Sequence, residues 1–525
     1  MPSRPARTPA TLLAVLVAIV LMTATSEPSR ADAPPPEPPR PVCPLESAVR
    51  IESDTPVWED DPVPAPKKKA WEDALGGQIA ARPAVRARMK GWPAVALADR
   101  AALPRDDRAF LTRLARDTWR GLDAFTDREH GLPVDHVRIE SDGDGTPGGV
   151  VGDYTNITNV GMHLIAVVAA HALDLVPERD ALAAIERTLD TLDRLETHEG
   201  FFFNYYDTTS LERTSNFVSF VDSSWLIAGL MVARAAFPTL AARATPLIDR
   251  MDYRFFYDEK VGLLSHGYFV HRHARSRYHY GVLYTEARLG VLLAVGKGEV
   301  PEATWFRMVR TYPADCLGQN QAPIAAARKT VRGHEVWGGW YEWQGERYVP
   351  SWGGSMFEAL MPLLVVDERR AAPTSLGPND VAHAVVQRRY ALETLGYPVW
   401  GLSPAAIPND GYREFGVRPL GIRGYAAGIV TPHASALALA VTPVDATANL
   451  RRLAERYDLY GDYGLYDAVD PATGQVARAY LALDQAMTLV AIANHLRPGV
   501  IPDLLATDPI AKRAVAILGD ERFFE

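Results

Sequence analysis

Residues 352–361 read WGGSMFEALM, a loop of tryptophan and glycine that runs directly into an apolar helix carrying one carboxylate, Glu358. A second stretch, residues 284–289 (YTEARL), starts another apolar helix with Glu286 near its beginning. Carboxylates are rare on such helices unless they are paired, commonly with Arg, or kept for chemistry. The two stretches therefore predict a helical protein whose helix starts carry functional acids.

Outward from these stretches, apolar residues recur at three- and four-residue spacing, and strand-like runs are few and short. The connections alternate between short ones and long ones rich in Trp, Tyr, Gly, Asp and His. An inner ring of helices with elaborated loops on one face would produce this alternation, so we expect an all-α fold with functional groups on those loops. The predicted helices cover residues 107–125, 160–173, 180–195, 222–236, 239–251, 285–295, 301–309, 355–365, 378–395, 432–440, 443–457 and 483–495.

Tryptophan is concentrated in the long connections. The chain has eleven Trp, of which Trp337, Trp340, Trp343, Trp352 and Trp400 follow one another closely. Sugars need aromatic platforms for their C–H faces and hydrogen-bonding side chains for their rims. Packing between helices is the alternative explanation, but loops with several glycines do not need to bury so many indoles. The pattern favours a carbohydrate site.

Two further acids interrupt apolar runs: Asp222 in VSFVDS (218–223) and Asp467 in YGLYDA (463–468). Cleavage of a glycosidic bond needs two carboxyl groups, one to protonate the leaving oxygen and one to act as nucleophile or to activate water. Asp222 could instead cap a helix, and Asp467 could organise a turn. The residue pattern alone leaves these alternatives open.

A series of motifs resembles the glucoamylase-like domain family. The series covers residues 106–495 and is similar to the central transglycosylase domain of cyclic β-1,2-glucan synthases and, more distantly, to the family 144 endo-β-1,2-glucanases. In chain order, the motifs are TNITNVG (155–161), FNYYD (203–207), VSFVDS (218–223), TEARL (285–289), GKGEVP (296–301), WGGSMFE (352–358), WGLS (400–403), FGV (415–417), NL (449–450) and YGLYDA (463–468).

The resemblance implies an (α/α)6 toroid with long loops on one face, and action on β-1,2-glucan. It places Glu286 and Glu358 at acidic positions that contribute to catalysis in these relatives, and Asp222 at an acidic position of the glucanase site. We expect Glu358 to be the general acid, Glu286 the nucleophile or general base, and Asp222 to position substrate or water. The expected substrate-binding residues are Asp467, Asp484, Trp343, Trp352, Trp400, Tyr154, Tyr206 and Arg288.

Two positions depart from the pattern of these relatives. Pro404 follows WGLS where the synthases usually carry Glu, and Phe217 precedes VSFVDS where the glucanases carry an acid. Subsite contacts are therefore expected to differ from those of both groups. At the position of Asp467 the synthases carry Glu, so the role of this aspartate is less firmly implied.

The N-terminus is typical of an export signal, with Arg4 and Arg7 before an apolar run (12–22) and a small-x-small site (31–33). We expect a signal peptide (1–33), a proline-rich linker (34–71), an N-terminal extension (72–105), a catalytic domain (106–500) and a C-terminal tail (501–525). The protein is thus expected to be periplasmic or secreted. No later stretch approaches the roughly 20 apolar residues of a membrane span, so we expect no membrane insertion of the mature chain. Cys43 and Cys316 could pair or remain free thiols.

Net charge and local sequence patterns argue against nucleic acid and metal ions as partners. The net charge of −9 argues against nucleic acid, whose phosphates demand a basic surface. Residues 141–147 resemble a calcium loop, but Pro147 stands where the sharp turn calls for Gly. Four histidines between 266 and 279 alternate with arginines, which is more typical of a polar rim than of a zinc site. We expect no metal and no cofactor, and an oligo- or polysaccharide as the partner.

Three hypotheses follow. The leading one is a secreted glycoside hydrolase that cleaves β-1,2-glucan by paired carboxylates. The alternatives are a retaining β-1,2-glucan transglycosylase on the same fold, and a non-catalytic glucan-binding envelope protein that kept the fold without the chemistry. Convergence of Glu286 and Glu358 on one cleft would favour an enzyme, whereas an acid locked to Arg elsewhere would oppose it.

Overall fold

The computed structural model describes residues 87–92, 97–141, 147–314, 316, 318–325, 328–408 and 411–525. The expected signal peptide (1–33), the linker (34–71) and part of the 72–105 extension lie outside these residues, as does most of the calcium-like stretch. Cys316 is disulfide-bonded. The other cysteine of the chain, Cys43, lies outside the described residues.

Helices form the body of the described chain. Many begin at a capping residue, as where the Asp106 side chain accepts the N–H of Ala109. Within the described ranges no helix combines the length and the apolar character that a bilayer crossing requires. The α-helices are α1 (Asp107–Ala124), α2 (Ile157–Ala172), α3 (Glu178–Leu192), α4 (Phe220–Ala236), α5 (Ala241–Arg250), α6 (Arg288–Lys297), α7 (Ala303–Arg307), α8 (Met356–Leu360), α9 (Glu368–Ala371), α10 (Leu376–Arg389), α11 (Pro432–Leu437), α12 (Pro443–Arg456), α13 (Ala482–Leu496), α14 (Val500–Thr507) and α15 (Pro509–Val515).

The strands are short, and those described pair antiparallel in sheets of two or three. One sheet matters for the site, because it sets His136 of the first strand opposite Leu481, directly before α13. The strands are β1 (His136–Ser141), β2 (Pro147–Val151), β3 (Tyr154–Asn156), β4 (Thr197–His198), β5 (Phe201–Phe202), β6 (Tyr205–Asp207), β7 (Phe217–Ser219), β8 (Tyr257–Asp258), β9 (Leu263–Leu264), β10 (Gly267–Phe269), β11 (Ala274–Arg275), β12 (Arg328–Val331), β13 (His334–Trp337), β14 (Tyr341–Trp343), β15 (Glu346–Tyr348), β16 (Ala405–Ala406), β17 (Tyr412–Arg413), β18 (Tyr460–Gly461), β19 (Gly464–Leu465), β20 (Ala468–Val469), β21 (Val476–Ala477) and β22 (Ala479–Leu481).

Burial divides the helices into an inner and an outer group. Helix α2 buries every residue from Ile157 to Ala170, as a helix surrounded by protein does, whereas α3 buries only one face. The inner helices α2, α4, α6, α8, α11 and α13 contact one another in that order, and α13 returns to α2. Outside them, α3 packs on α2, α5 on α4, α7 on α6, α10 on α8, α12 on α11, and α1 on α13. The inner helices therefore form the wall of a helical barrel.

Helices α2 and α4 approach each other closely at two glycines. A Cβ atom on Gly161 would lie 2.3 Å from the carbonyl oxygen of Trp225, and one on Gly229 would lie 2.3 Å from the carbonyl oxygen of Gly161. Any side chain at either position would force the helices apart, so the backbones themselves set the spacing of this part of the wall.

Two of the differences between predicted and observed helix boundaries concern the helices next to Glu286 and Glu358. The helix predicted over 285–295 begins at Arg288, so Glu286 lies in the turn before it. The helix predicted over 355–365 ends at Leu360 and continues as a 3₁₀ turn, Met361–Leu364. Pro362 explains this change because it lacks the N–H that would continue the α-helical hydrogen bonding.

Residues 501–525 are part of the folded body, and the prediction of a C-terminal tail is wrong. Helix α14 packs against α2 and α4, and α15 packs against α6. The buried side chains of Arg310 and Glu521 form an ion pair with Nε–Oε1 at 2.8 Å. Arg513 Nε donates to the carbonyl oxygen of Gly296, near the C-terminal end of α6. These two helices are short, and Pro509 begins the second one shortly after the first ends at Thr507. They cover the barrel away from the inner helix starts.

Candidate active site

Asp222 lies in the first turn of α4, where the hydroxyl oxygen of Ser219 accepts its backbone N–H at 3.3 Å. Thr158, in the first turn of α2, donates its hydroxyl to Asp222 Oδ1 at 2.6 Å. This hydrogen bond joins the starts of two inner helices. Burial raises the pKa of Asp222, and the hydrogen bonds from Ser219, Thr158 and Asn156 partly oppose that rise.

Glu358 lies in the first turn of α8 and is 6% exposed. The Ser351 hydroxyl donates to Oε2 at 2.8 Å, and the N–H of Gly353 lies 3.1 Å from Oε1 and 3.0 Å from Oε2. The N–H of Ser355 also donates to Oε2 at 3.3 Å, which makes Glu358 the acidic half of a capping box. Burial raises the pKa of Glu358 while these donors favour its charged form.

The loop that supplies these donors depends on Gly354, whose φ of 78° lies in the left-handed region. A Cβ atom there would also lie 2.2 Å from the carbonyl oxygen of Val417. The WGGS motif is therefore a hydrogen-bonding cradle for the carboxylate three residues beyond it. Its glycines serve this geometry, which explains why they accompany Glu358 in the sequence.

Glu286 lies in the turn before α6 and is partly exposed. Burial raises its pKa to about 8, with further increases from the charges of Glu358 and Asp222. Carboxylates perturb one another in this way only when they are close together, so Asp222, Glu286 and Glu358 lie near one another, and we call the space between them the recess. At neutral pH Glu286 therefore holds a proton, while Glu358 is surrounded by donors that suit an anion.

Tyrosines border this recess. Burial is the main cause that raises the pKa of both Tyr280 and Tyr425. The charges of Glu286 and Asp222 raise the pKa of Tyr280 further, and those of Glu358, Glu414 and Glu286 raise the pKa of Tyr425 further. The ring of Tyr425 lies against Gly353, where a Cβ atom would be 2.0 Å from the ring. Acids and aromatic rings therefore occur together, as a carbohydrate site requires.

A second polar group lies at the starts of α11 and α13. His433 Nδ1 is 3.0 Å from Asp484 Oδ2, and the N–H of Ala406 donates to Asp467 Oδ2 at 2.7 Å. Burial raises the pKa of Asp484 to about 7 and lowers that of His433 to about 4. The pKa of Asp467 is raised by burial and then by the charge of Asp484. A proton shared between the two aspartates satisfies this arrangement.

Among the residues described, His433, Asp467 and Asp484 are the group whose ligand atoms are close enough together to bind one metal ion. One ligand atom from each of His433, Asp467 and Asp484 lies within 4.8 Å of the other two. They line a cavity of about 10 Å³, which is large enough for one water molecule or a single ion. The neutral imidazole and the carboxylate oxygens would suit a divalent cation chemically.

The structure thus brings the expected catalytic residues Asp222, Glu286 and Glu358 together, and it places Asp467 beside Asp484 in the second group. Tyr154 is buried near Asp135, since its pKa is raised first by burial and then by the charge of Asp135.

Two of the expected tryptophan platforms lie in different surroundings. Trp352 is buried at the start of the Glu358 loop, with the Arg423 guanidinium 5.9 Å from its ring centroid. Trp343 is partly exposed on the β14–β15 hairpin and packs edge-on against Tyr390, which follows the outer helix α10. Trp352 is therefore adjacent to the acids, whereas the packing partner of Trp343 belongs to the outer layer.

Three expected substrate contacts are structural instead. Arg288 is fully buried and its guanidinium is paired with Glu368, with Nε–Oε1 and Nη2–Oε2 both at 2.8 Å. Tyr206 is fully buried, and its hydroxyl donates to the carbonyl oxygen of Glu196 and accepts the N–H of Phe203. Trp400 is 2% exposed within the core. None of these side chains is accessible to a sugar, so their assignment as substrate-binding residues was wrong.

Sequence reasoning missed several residues of the site. Thr158 lies within the TNITNVG motif and could have been noted as a donor, because a hydroxyl in a first turn often serves a neighbouring acid. Asp135 precedes β1 and lies outside every motif. Tyr412 and Tyr425 lie in the long connection over residues 397–431, where the abundance of tyrosine was the available signal.

Comparison with known proteins first defines a class. Residues 318–509 match the family described as "Putative glucoamylase", and residues 113–276 match a family of unknown function, DUF3131. The first match confirms the resemblance to the glucoamylase-like family that the motifs indicated.

The individual proteins to which the chain is similar include a cyclic β-(1,2)-glucan synthase and endo-β-1,2-glucanases. The chain is 26% identical over 561 residues to the cyclic β-(1,2)-glucan synthase NdvB of Rhizobium meliloti (strain 1021), a match that covers 78% of this chain and 18% of the synthase. The structure of an endo-β-1,2-glucanase from Chitinophaga pinensis, in complex with sophorotriose and glucose, matches 80% of this chain and 99% of that one, with a TM-score of 0.60 and 15% identity. That of an endo-β-1,2-glucanase from Talaromyces funiculosus with sophorose matches 80% and 92%, with a TM-score of 0.59 and 13% identity. The structural matches establish the helical-barrel fold.

Proposed function

We propose that this protein is a glycoside hydrolase that cleaves β-1,2-glucan with the paired carboxyl groups of Glu286 and Glu358. The observation that carries the proposal is the convergence of Asp222, Glu286 and Glu358 from the starts of three neighbouring inner helices into one recess. A non-catalytic glucan-binding protein would have no need to place mutually repelling acids together, because such a cluster opposes folding.

In this proposal Glu286 is the proton donor. Its pKa of about 8 keeps it protonated at neutral pH, and the charge of Glu358 contributes to that rise. Glu358 remains the anion because Ser351, Gly353 and Ser355 donate to it, and it acts as nucleophile or activates a water molecule. This reverses the assignment expected from the sequence, since motif similarity identifies the two positions but carries no information on which one is protonated.

Asp222 completes the proposed mechanism as a positioning group. Its Oδ1 is held by the Thr158 hydroxyl, and it lies close enough to Glu286 for its charge to raise the pKa of Glu286. A carboxylate in this position can accept a hydrogen bond from a sugar hydroxyl or orient a water molecule. Removal of Asp222 should therefore weaken substrate positioning more than it alters the protonation of the catalytic pair.

Substrate, fold detail and location belong to the same proposal. The similarity to a cyclic β-(1,2)-glucan synthase and to endo-β-1,2-glucanases supports β-1,2-glucan as the substrate. The closed sequence of contacts among the inner helices supports an (α/α)6 toroid. The disulfide at Cys316 supports an oxidising compartment, and hence a periplasmic or secreted protein released from a leader over residues 1–33.

A second candidate function is a retaining β-1,2-glucan transglycosylase, which the similarity to the synthase favours. In that reaction Glu358 would displace the glycosidic oxygen, which Glu286 protonates as it leaves, and form a glycosyl–enzyme bond. A sugar hydroxyl rather than water, losing its proton to Glu286, would then displace the carboxylate. Both reactions use the same pair of acids, so the products distinguish them.

The test is to incubate the full chain with linear β-1,2-, β-1,3- and β-1,4-glucans and to follow chain length and the anomer first released. Hydrolysis predicts shorter β-1,2-glucans only, whereas transfer predicts some products longer than the starting chains. Glu286→Gln and Glu358→Gln should each abolish turnover, while Glu186→Gln, on the exposed side of outer helix α3, should leave it unchanged. Full activity of either cleft variant would refute the proposed mechanism.

A further inference from the structure

The β16–β17 hairpin is fixed near the start of the last inner helix. Arg138 Nη1 on β1 donates to the carbonyl oxygen of Ile407 at 3.5 Å, and the N–H of Ala406 donates to Asp467 Oδ2 at 2.7 Å. The hairpin also packs on an apolar cluster that includes Ala479 and Leu481 of β22. Because β22 leads directly into α13, these contacts seat the hairpin beside the second polar group.

Tyr412 of this hairpin is 55% exposed. The large apolar side chains exposed in the described ranges are Leu97, Ile324, Tyr412 and Val444, and Tyr412 is the aromatic one among them. Its cross-strand neighbour is Ala406, whose methyl group covers little of the ring. The contacts of the hairpin therefore hold Tyr412 with much of its surface accessible to solvent, where the ring adds little to the core.

Asp135 lies on the same side of the barrel. It is 25% exposed, its Oδ1 accepts the side-chain N–H of Asn159 in the first turn of α2 at 3.0 Å, and its backbone carbonyl accepts the N–H of Ala482 at 2.9 Å. These contacts place it between the starts of α2 and α13. In the order of inner helices, this position is opposite α6 and α8, which carry the catalytic pair.

Electrostatic effects agree with this placement. The surrounding protein leaves much of the Tyr412 ring accessible but desolvates its hydroxyl, which raises the pKa of Tyr412, and the charges of Asp484, Asp467, Glu414 and Asp135 raise it further. The Tyr425 ring lies against the Glu358 loop. The pKa of Tyr425 is raised by Tyr412 as well as by Glu358 and Glu286. Tyr425 thus connects the surroundings of Tyr412 to the recess that contains Glu286 and Glu358.

We propose that Tyr412 and Asp135 form a glucosyl-binding subsite across the barrel from Glu286 and Glu358. The C–H face of one pyranose ring stacks on Tyr412, and a hydroxyl of that sugar donates to the Asp135 carboxylate. A single glucan chain then extends from this subsite, past Tyr425, to the acids that cleave it. The inference rests on the proposed glucanase function and adds the residues that determine how far the bound chain reaches.

The test compares Tyr412→Ala, Tyr412→Phe and Asp135→Asn with the wild type in steady-state cleavage of β-1,2-glucans of increasing length. Loss of the stacked ring should raise KM by about five- to tenfold for long chains, with little change in kcat. Tyr412→Phe keeps the ring and should retain a KM near that of the wild type. Asp135→Asn should raise KM because it weakens the charge-assisted hydrogen bond. Melting temperatures should remain unchanged for the Tyr412 variants, since the ring is exposed.

Binding by titration calorimetry to the inactive Glu358→Gln chain provides the second readout. The affinity for a long β-1,2-glucan should fall when Tyr412→Ala is added to this chain. An unchanged KM and affinity for Tyr412→Ala, in a protein whose wild type cleaves the glucan, would overturn the subsite while leaving the proposed function intact. A wild type that neither binds nor cleaves any of the glucans would instead overturn both.

Discussion

Replacement of Glu286 by Gln should make the protein more stable at alkaline pH while abolishing turnover. The pKa of Glu286 is about 8, compared with an ordinary value of 4.5. A carboxyl group whose pKa is raised by folding binds its proton more tightly in the native state, so stability falls as pH rises from about 4.5 to about 8. Gln has no proton to lose, and its neutral amide avoids the buried charge.

The difference of pKa corresponds to at most about 5 kcal/mol at 1.36 kcal/mol per unit. Because the side chain is partly exposed and solvent screens its charge, we expect about 1–3 kcal/mol at pH 9 and less than about 1 kcal/mol at pH 5. For a folded body of this size, about 1 kcal/mol shifts the melting temperature by about 1 °C. The expected gain for Glu286→Gln is therefore about 1–3 °C at pH 9.

Differential scanning calorimetry at pH 5, 7 and 9 measures this gain, with Glu186→Gln as the matched control on the exposed face of α3. The stability difference between Glu286→Gln and wild type should grow up to about pH 8 and then level off. The control should show no such trend. A difference that is the same at all three pH values would refute the reasoning, because it would mean that Glu286 is not protonated in the native state.

Three further results are expected. Arg288→Met leaves Glu368 buried without its partner and should lower the free energy of unfolding, measured in urea, by about 3–5 kcal/mol. The KM of the folded variant should not change. Ser351→Ala removes a donor that favours ionised Glu358, so the acid limb of the pH–rate profile should move to higher pH. Tyr206→Phe removes two buried hydrogen bonds and should lower the free energy of unfolding by about 1–2 kcal/mol without a change in KM.

The helical fold could be predicted from the sequence, and the acids of the candidate site could be singled out, because both leave local signals. Glu286 and Glu358 stand out as charges at the starts of apolar helices, and the motifs around them are recognisable without knowledge of tertiary contacts. Long, mostly apolar runs likewise marked inner helices such as α2, which is buried on nearly every face.

The errors concern residues whose role depends on a distant partner. Arg288 has the same local setting as Glu286, and only the fold shows that Glu368 neutralises it from the far side of a long connection. The exposure of Tyr412 depends on the hairpin contacts with β1 and β22, which no local pattern encodes. The protonation that we propose for Glu286 also has no local signal in the sequence, because it depends on the distance between carboxylates on different helices.

The glycine contact between α2 and α4 has a consequence for engineering. Thr158 lies about one helical turn from Gly161, and Asp222 about two turns from Gly229. A methyl group at either glycine would act as a spacer that opens the rim between these two polar side chains, although it would touch no bound saccharide. Substitutions at Gly161 or Gly229 could thus alter the range of saccharides that the site accepts by changing the distance between the α2 and α4 backbones.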